Sequence, residues 1–257
     1  MLGLIYSIAS YFGFLATFVY FAWFTDGRGV PKTVDSGTES GLAATLIVDL
    51  GLLLLFGLQH SLMARPRFKR ILTRLIPETV ERATYVLASS AALLLLIWQW
   101  RPLPTVLWSI ENPLVSALLW GVNAIGWLGV PAVTFMIDHF NLFGVKQALG
   151  AFRKMSFKQT GFVTPLLYKY VRHPMMSSLL IALWITPHLT VGHLLLSAGM
   201  SLYIVIGVHF EERALARELG VAYQAYQAST PKFLPLSGPR PALGDTLMSS
   251  PESRRGA

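Results

Sequence analysis

The sequence predicts an all-α, polytopic membrane helix bundle of about six membrane segments. The last two form a helical hairpin, and a short cytoplasmic C-terminal helix follows. Three observations carry this prediction. Only 13% of the 257 residues are charged while 53% are hydrophobic; an average globular domain has about 25% charged residues, so these charges are too few to cover a water-facing surface. Apolar runs of spanning length use most of the chain, which leaves no room for a separate soluble catalytic domain. The basic residues gather in segments that all fall on one side of those runs.

Taken in order, Leu4 to Phe24 is an uncharged run of about 20 residues, which matches a bilayer core. It is too long for a signal-peptide apolar region and lacks a basic leader, so it is expected to be retained. A polar loop with Gly27, Gly29, Pro31 and Gly37 follows. Leu42 to Met63 is the second span, Ala83 to Trp100 the third and Leu114 to Ile137 the fourth, with a kink expected at Pro131, where a helical N–H is lost. Pro174 to Thr186 and Val191 to Val208 are two apolar runs separated only by Pro187, His188, Leu189 and Thr190, which reads as a hairpin. Beyond it, Leu215 and Leu219 have helical spacing and Gly220 is a stop signal. That piece reads as a short amphipathic helix lying on the membrane. Residues 1–236 are expected to form one membrane domain, and 237–257 read as a disordered cytoplasmic tail.

Charge fixes the expected orientation. Arg65, Arg67, Lys69, Arg70, Arg74 and Arg82 follow span two; Lys146, Arg153, Lys154, Lys158, Lys169 and Arg172 follow span four; Arg213, Arg217, Lys232, Arg240, Arg254 and Arg255 follow span six. Only Arg28, Lys32 and Arg101 lie on the other side. Lys and Arg are retained in short cytoplasmic loops, so both termini are expected in the cytoplasm. The net charge of +8 is then explained by topology and anionic headgroups, not by nucleic acid. The chain has no cysteine, which excludes disulfides, thiolate metal sites and a nucleophilic Cys but identifies no compartment.

The densest chemistry starts at Tyr168 and runs through Arg172-His173-Pro174 into the hairpin. Pro174 disfavours α conformation at His173 but suits the first turn of a helix, so Arg172 and His173 should sit in extended backbone before a helix N-terminus. Free N–H groups and the positive helix end then favour a carboxylate or phosphate there. The plainer reading is a juxtamembrane arginine beside a helix-starting proline. Pro174 to Thr186 as one helix rises only about 20 Å and the return helix about 27 Å. Arg172 and His173 are therefore expected below the membrane surface, with His209, Glu211 and Glu212 nearer the headgroups, as two walls of a pocket. Adjacent Glu211 and Glu212 point about 100° apart on a helix, so at most one faces that pocket.

At these residues the sequence resembles the isoprenylcysteine carboxyl methyltransferase family of integral membrane methyltransferases. The likeness rests on Arg172-His173-Pro174, the apolar hairpin, Glu211-Glu212, Leu219-Gly220, Tyr223, Tyr226 and Thr230-Pro231. It departs from the family pattern at Met176 and Ser178. Gln59 to Pro66, Glu81 to Tyr85 and Asp138 to Gly144 further resemble its bacterial branch that methylates methanethiol to dimethyl sulfide, and Thr186-Pro187 and Gly192 to Leu195 extend that likeness.

The resemblance implies an S-adenosyl-L-methionine-dependent S-methyltransferase of a bacterial inner membrane acting on a small thiol, its cofactor-binding part at about 165–236, with a prenylated-cysteine carboxylate or other membrane acceptor as the alternative. It implies that Arg172, His173 and the helix at Pro174 hold the methionine carboxylate, and that Glu211 or Glu212 meets the ribose or adenine. Tyr223 and Tyr226 would close over the cofactor. A sulfonium favours aromatic faces, which makes Tyr168, Tyr170 and Tyr203 candidates near the methyl group. Neutral His60 and His139, at span ends, are the candidate proton acceptors beside Arg172, and for each a structural histidine hydrogen-bonded at a helix boundary is the competing reading. His188 and His193 flank the far turn. Asp49, an intramembrane carboxylate, is expected to pack or lie near the outer interface. No metal is expected.

Overall fold

The computed structural model describes residues 1–155 and 165–235. Residue 236, Lys158, Arg240, Arg254, Arg255 and the expected tail at 237–257 lie outside the described residues. Among the described residues, five helices are long and apolar enough to cross a membrane: α1 (Leu2–Thr25), α2 (Leu42–Met63), α4 (Glu78–Gln99), α5 (Pro113–Ile137) and α9 (Val191–Leu219). Between them lie the short α3 (Pro66–Leu72), a two-stranded antiparallel ribbon of β1 (Val106–Ser109) and β2 (His188–Thr190), α6 (His139–Leu142), α7 (Val145–Arg153) and the 11-residue α8 (Pro174–Trp184). A final helix, α10 (Val221–Ser229), follows α9.

The four spans read from the first half of the sequence each coincide with one helix. Helix α5 runs through Pro131, and the Thr134 hydroxyl donates to the Pro131 carbonyl. The main core lies at one end of the bundle, where Phe21, Phe24, Leu96, Trp100, Trp127 and Leu196 pack together. Elsewhere large apolar side chains such as Ile47, Ile125 and Trp98 face outward, as expected of helices whose solvent is lipid. Asp49 is fully buried, and its Oδ1 accepts a hydrogen bond from the Arg101 amide at 2.9 Å. It thereby supports the chain just beyond the end of α4.

Two expectations about the C-terminal half are corrected. The first concerns the outgoing segment. Its helix stops at Trp184, and the chain continues in non-helical backbone that ends in β2. Eleven helical residues rise about 16 Å, while the six residues to Thr190 add up to about 20 Å when extended. The start of α8 nevertheless meets α9 directly, Arg172 Nε lying 2.8 Å from Glu212 Oε1, so the depth offset expected from helix lengths alone does not arise. The carbonyl of Leu183, left open where α8 ends, accepts from His193 Nε2 at 2.9 Å and Ser197 Oγ at 2.8 Å. Thr190 caps α9 through His193 N and donates its own hydroxyl to Asp35 at 2.5 Å.

The second correction concerns the return segment. Helix α9 does not end at Val208 but runs unbroken over 29 residues from Val191 to Leu219, so His209, Glu211 and Glu212 stand on the same helix as the apolar run. Gly220, with φ +59°, breaks the helix as its position implied, and α10 carries Tyr223 and Tyr226 as a separate element.

Helix α8 packs chiefly against α5, and closeness there depends on Gly126: a Cβ at that position would lie 2.6 Å from the Ala182 amide nitrogen and 2.9 Å from the Ser178 carbonyl oxygen. Backbone atoms cannot rotate away, so Gly126→Ala must separate the two helices. We expect it to destabilise the protein by about 1–3 kcal/mol, read as a lowered thermal midpoint in detergent. Gly121→Ala, at a position with nothing within 4 Å, should leave that midpoint unchanged.

Candidate active site

Proline at the start of α8 leaves His173 in non-helical backbone, with φ −126° and ψ 64°. The extended residues there pair with a second extended segment after α10: the Arg172 amide donates to the Pro231 carbonyl at 2.9 Å and the His173 amide to Lys232 at 3.1 Å. Ser177 reinforces this by donating to the Phe233 carbonyl at 2.7 Å. The start of α8 and the end of the described chain are thus locked side by side, and the cytoplasmic end of α9, as the sequence reads, runs past both.

Glu212 joins the three segments. Its Oε1 accepts from Arg172 Nε at 2.8 Å and His173 Nε2 at 3.1 Å, and its Oε2 lies 3.0 Å from Lys232 Nζ. The remaining reach of Arg172 goes to backbone: Nη1 donates to the Gln227 carbonyl at 2.8 Å and also to that of Thr230. Arg172 and Glu212 therefore form one wall, not two facing walls. Glu211 points elsewhere, as helical geometry requires. Its side chain is 53% exposed against 10% for Glu212, and its Oε2 lies 3.8 Å from His173 Nδ1.

Four tyrosines surround these charges. Tyr223 and Tyr226 are buried with rings 6.0 Å apart, and the Tyr226 hydroxyl donates to the Tyr168 carbonyl at 2.6 Å. Burial pushes the Tyr223 phenol up to about 12, with the Glu212 charge adding and Arg172 opposing. Burial also raises Tyr226, and burial with the charge of Glu211 raises Tyr168. These phenols stay neutral at any physiological pH. Tyr203, the fourth, stands on α9 within the field of Glu211 and hydrogen-bonds Ser61.

Tyr203 links this cluster to His60. The two rings are 6.1 Å apart, and Phe56 stacks on His60 at 5.5 Å. Both nitrogens of His60 are engaged: Nε2 with the Tyr85 hydroxyl at 2.7 Å and Nδ1 with Ser89 Oγ at 3.1 Å. A phenol that donates to Nε2 leaves the ring proton on Nδ1, facing Ser89.

His139 is held elsewhere, by Tyr11 at 2.8 Å on Nε2 and Thr134 at 2.6 Å on Nδ1, stacked on Phe135 at 3.8 Å. Thr134 spends its only proton on the Pro131 carbonyl, so Nδ1 carries the imidazole proton and Tyr11 donates to Nε2. These contacts are those of a satisfied structural histidine, and none of its partners belongs to the Glu212 or His60 clusters. His188 and His193 lie at β2 and the start of α9, at the opposite end of α8 from Arg172.

Sequence reasoning missed Lys232, the carbonyls of Gln227 and Thr230, and the Tyr85 and Ser89 partners of His60. A lysine directly after Thr230-Pro231 was the available signal for the first. The carbonyls carry no side-chain signal at all.

Comparison with known proteins follows the same lines. The family model described as NnrU protein matches residues 49–238. Methanethiol S-methyltransferase 2 of Bradyrhizobium diazoefficiens is 47% identical over 232 residues, covering 90% of this chain and 89% of its own length. Methanethiol S-methyltransferase of Mycobacterium tuberculosis is 44% identical over 234 residues, covering 91% of this chain and 96% of its own. The protein of the same name from a Pseudomonas species is 46% identical over 233 residues, with 91% and 90% covered. No solved structure matches.

Two outcomes are expected from the geometry. Glu212→Ala leaves Arg172 and Lys232 without their shared carboxylate in a site where Arg172 is only 10% exposed, and should cost roughly 3–5 kcal/mol. Glu211→Ala, at a half-exposed position, should stay within about 0.5 kcal/mol; chemical denaturation of the two variants in detergent separates them. Burial holds the His139 imidazole below its ordinary value of 6.5, so the unfolded chain takes up that proton first. Stability from this group is therefore complete above about pH 6.5 and lost as pH falls below it. The thermal midpoint should drop between pH 7.5 and 5.5, with a shallower slope in His139→Gln.

Proposed function

The chain belongs to the NnrU protein family, and on that premise we propose that it is a methanethiol S-methyltransferase, an integral membrane enzyme that converts methanethiol to dimethyl sulfide. The observation that carries this reading is the high identity to methanethiol S-methyltransferases over about nine-tenths of the chain, together with a charged and aromatic cluster at the same end of α8 and α9. The methyl donor we propose is S-adenosyl-L-methionine, which supplies an electrophilic methyl group on a positively charged sulfur.

The residues present fit such a donor. Arg172, Lys232 and His173 share one buried carboxylate, and the part-exposed Lys232 ammonium, with three donors, has capacity beyond its contact with Glu212 for a carboxylate ligand. Tyr168, Tyr203, Tyr223 and Tyr226 offer neutral aromatic faces suited to a sulfonium. Because Arg172 is occupied by Glu212 and two backbone carbonyls, we assign carboxylate binding to Lys232 and His173 beside the N-terminus of α8 at Pro174, with Arg172 holding Glu212 and the 227–230 segment in place. Glu211, half-exposed and within reach of His173, is the carboxylate left to meet the hydroxyls or amine of the donor.

On the acceptor side, a thiol must lose its proton before or as its sulfur attacks carbon. Tyr85 and His60 form a hydrogen-bonded pair suited to accepting that proton, since Tyr85 can take it while passing its own to His60 Nε2. His139 falls outside that path. We further propose six crossings, with α8 and its extended continuation as the fifth and α9 as its hairpin partner, and both termini in the cytoplasm.

Detergent-purified protein given methyl-labelled S-adenosyl-L-methionine should release volatile labelled dimethyl sulfide from methanethiol. A labelled, non-volatile ester from a prenylated-cysteine analogue as the sole product would overturn the acceptor assignment. Glu211→Gln should weaken donor binding roughly tenfold, the size of one charge-assisted hydrogen bond, with Tyr85→Phe lowering turnover and leaving donor affinity unchanged.

A further inference from the structure

We propose that the cleft between the end of α1 and the first half of α5 binds the headgroup of an amine-bearing zwitterionic phospholipid, its ammonium held by Asp26 and tryptophan faces and its phosphate by Arg28. The cleft has a volume of about 480 Å³ and is lined by Trp23, Asp26, Arg28, Trp120, Asn123 and Trp127, among others. It lies at the opposite end of α8 from the Glu212 cluster, because Asn123 also donates to the Ala182 carbonyl near the end of α8, at 2.9 Å.

Asp26 immediately follows the last residue of α1, where a span meets the headgroup layer. Its Oδ1 accepts from Asn123 Nδ2 at 3.2 Å and Trp127 Nε1 at 3.4 Å; neither bond uses Oδ2. Burial raises this carboxyl from its ordinary value, against the hydrogen bonds from Trp127 and Asn123 and the charge of Arg28. An arriving ammonium offsets that desolvation. Arg28, two residues on, lies 3.5 Å from the centroid of the Trp120 ring and forms no ion pair with Asp26 among the described residues. The cleft thus presents a separated negative and positive group side by side, with indole rings next to both. That pattern complements an ammonium and a phosphate joined by a short linker: the ammonium meets a carboxylate and aromatic faces, and the phosphate meets a guanidinium.

The source is a membrane lipid and not a soluble zwitterion, because the cleft continues onto the apolar surface of α5. Ala124 and Leu128 complete its wall, and Leu128 is 68% exposed where lipid surrounds the helix. Tryptophans alone are common where helices leave a bilayer. A desolvated carboxylate oriented by two side-chain donors is not part of that pattern and needs a cationic partner to offset its burial.

The test uses the detergent-purified full chain, with phosphatidylethanolamine and phosphatidylglycerol added in equal amounts and retained lipid counted by native mass spectrometry. Wild type should retain phosphatidylethanolamine preferentially. Asp26→Asn, which keeps an acceptor for Asn123 and Trp127, should lower that retention roughly tenfold without changing phosphatidylglycerol. Trp120→Leu should produce the same selective loss by a different route, so a poorly folded Asp26→Asn leaves the test intact. Equal retention of the two lipids by wild type, or retention unaffected in both variants, overturns the proposal. Displacement of the bound lipid by millimolar phosphoethanolamine would assign the cleft to soluble zwitterions and overturn the lipid.

Discussion

The Glu212 carboxylate is the contact on which the C-terminal half depends. It gathers Arg172, His173 and Lys232, which come from the start of α8 and from the segment after α10, onto a single position of α9. A charge buried to this degree is tolerable only when every partner is present. The three segments are consequently ordered together, and the carbonyls of Gln227 and Thr230 bind α10 into the same unit through Arg172. The tyrosines of α10 owe their placement to that lock, since the rigid helix that would otherwise aim them is interrupted at Gly220.

A second constraint sits at the other end of α8. A membrane segment that abandons helical hydrogen bonding leaves carbonyls without partners, which lipid cannot supply. Here His193 and Ser197 satisfy Leu183, Asn123 satisfies Ala182, and β1 pairs with β2 where the chain is extended. Polar residues on α5 and α9 are thereby explained by backbone they complete, and His193 in particular is a structural group. Its role could not be read from its own neighbours in sequence, because its partner lies ten residues away across the turn.

The two ends of the molecule divide labour by the character of their polar groups. At the end of α9 the charges form a network centred on Glu212 beside neutral phenols, with Lys232 and Glu211 at its exposed edge, which suits an elongated ligand of mixed charge. At the end of α1, Asp26 and Arg28 are adjacent but unpaired with one another, and they face a cleft open to the apolar surface of α5. Histidine burial sorts in the same way. His60 shares a hydrogen bond with a phenol next to Tyr203, and His139 is enclosed by Tyr11, Thr134 and Phe135 away from both clusters.

Hydrophobic length and charge count are properties of a linear chain, so the mostly helical membrane class, four spans of the first half, the break at Gly220 and the divergence of Glu211 from Glu212 were legible without coordinates, while the β1–β2 ribbon was not. The proline at position 174 likewise announced the start of α8, because its ring restricts the residue before it whatever surrounds it. Tertiary structure alone decided where α8 stops, since its non-helical continuation is stable only with partners from β1, α5 and α9, and helix-length arithmetic missed that Arg172 stands level with Glu212. It also decided that Arg172 meets Glu212 and not open solvent, and that Lys232 completes the cluster. These outcomes rest on side chains 20 to 60 positions apart, and no local pattern encodes which of several carboxylates a given cation will reach.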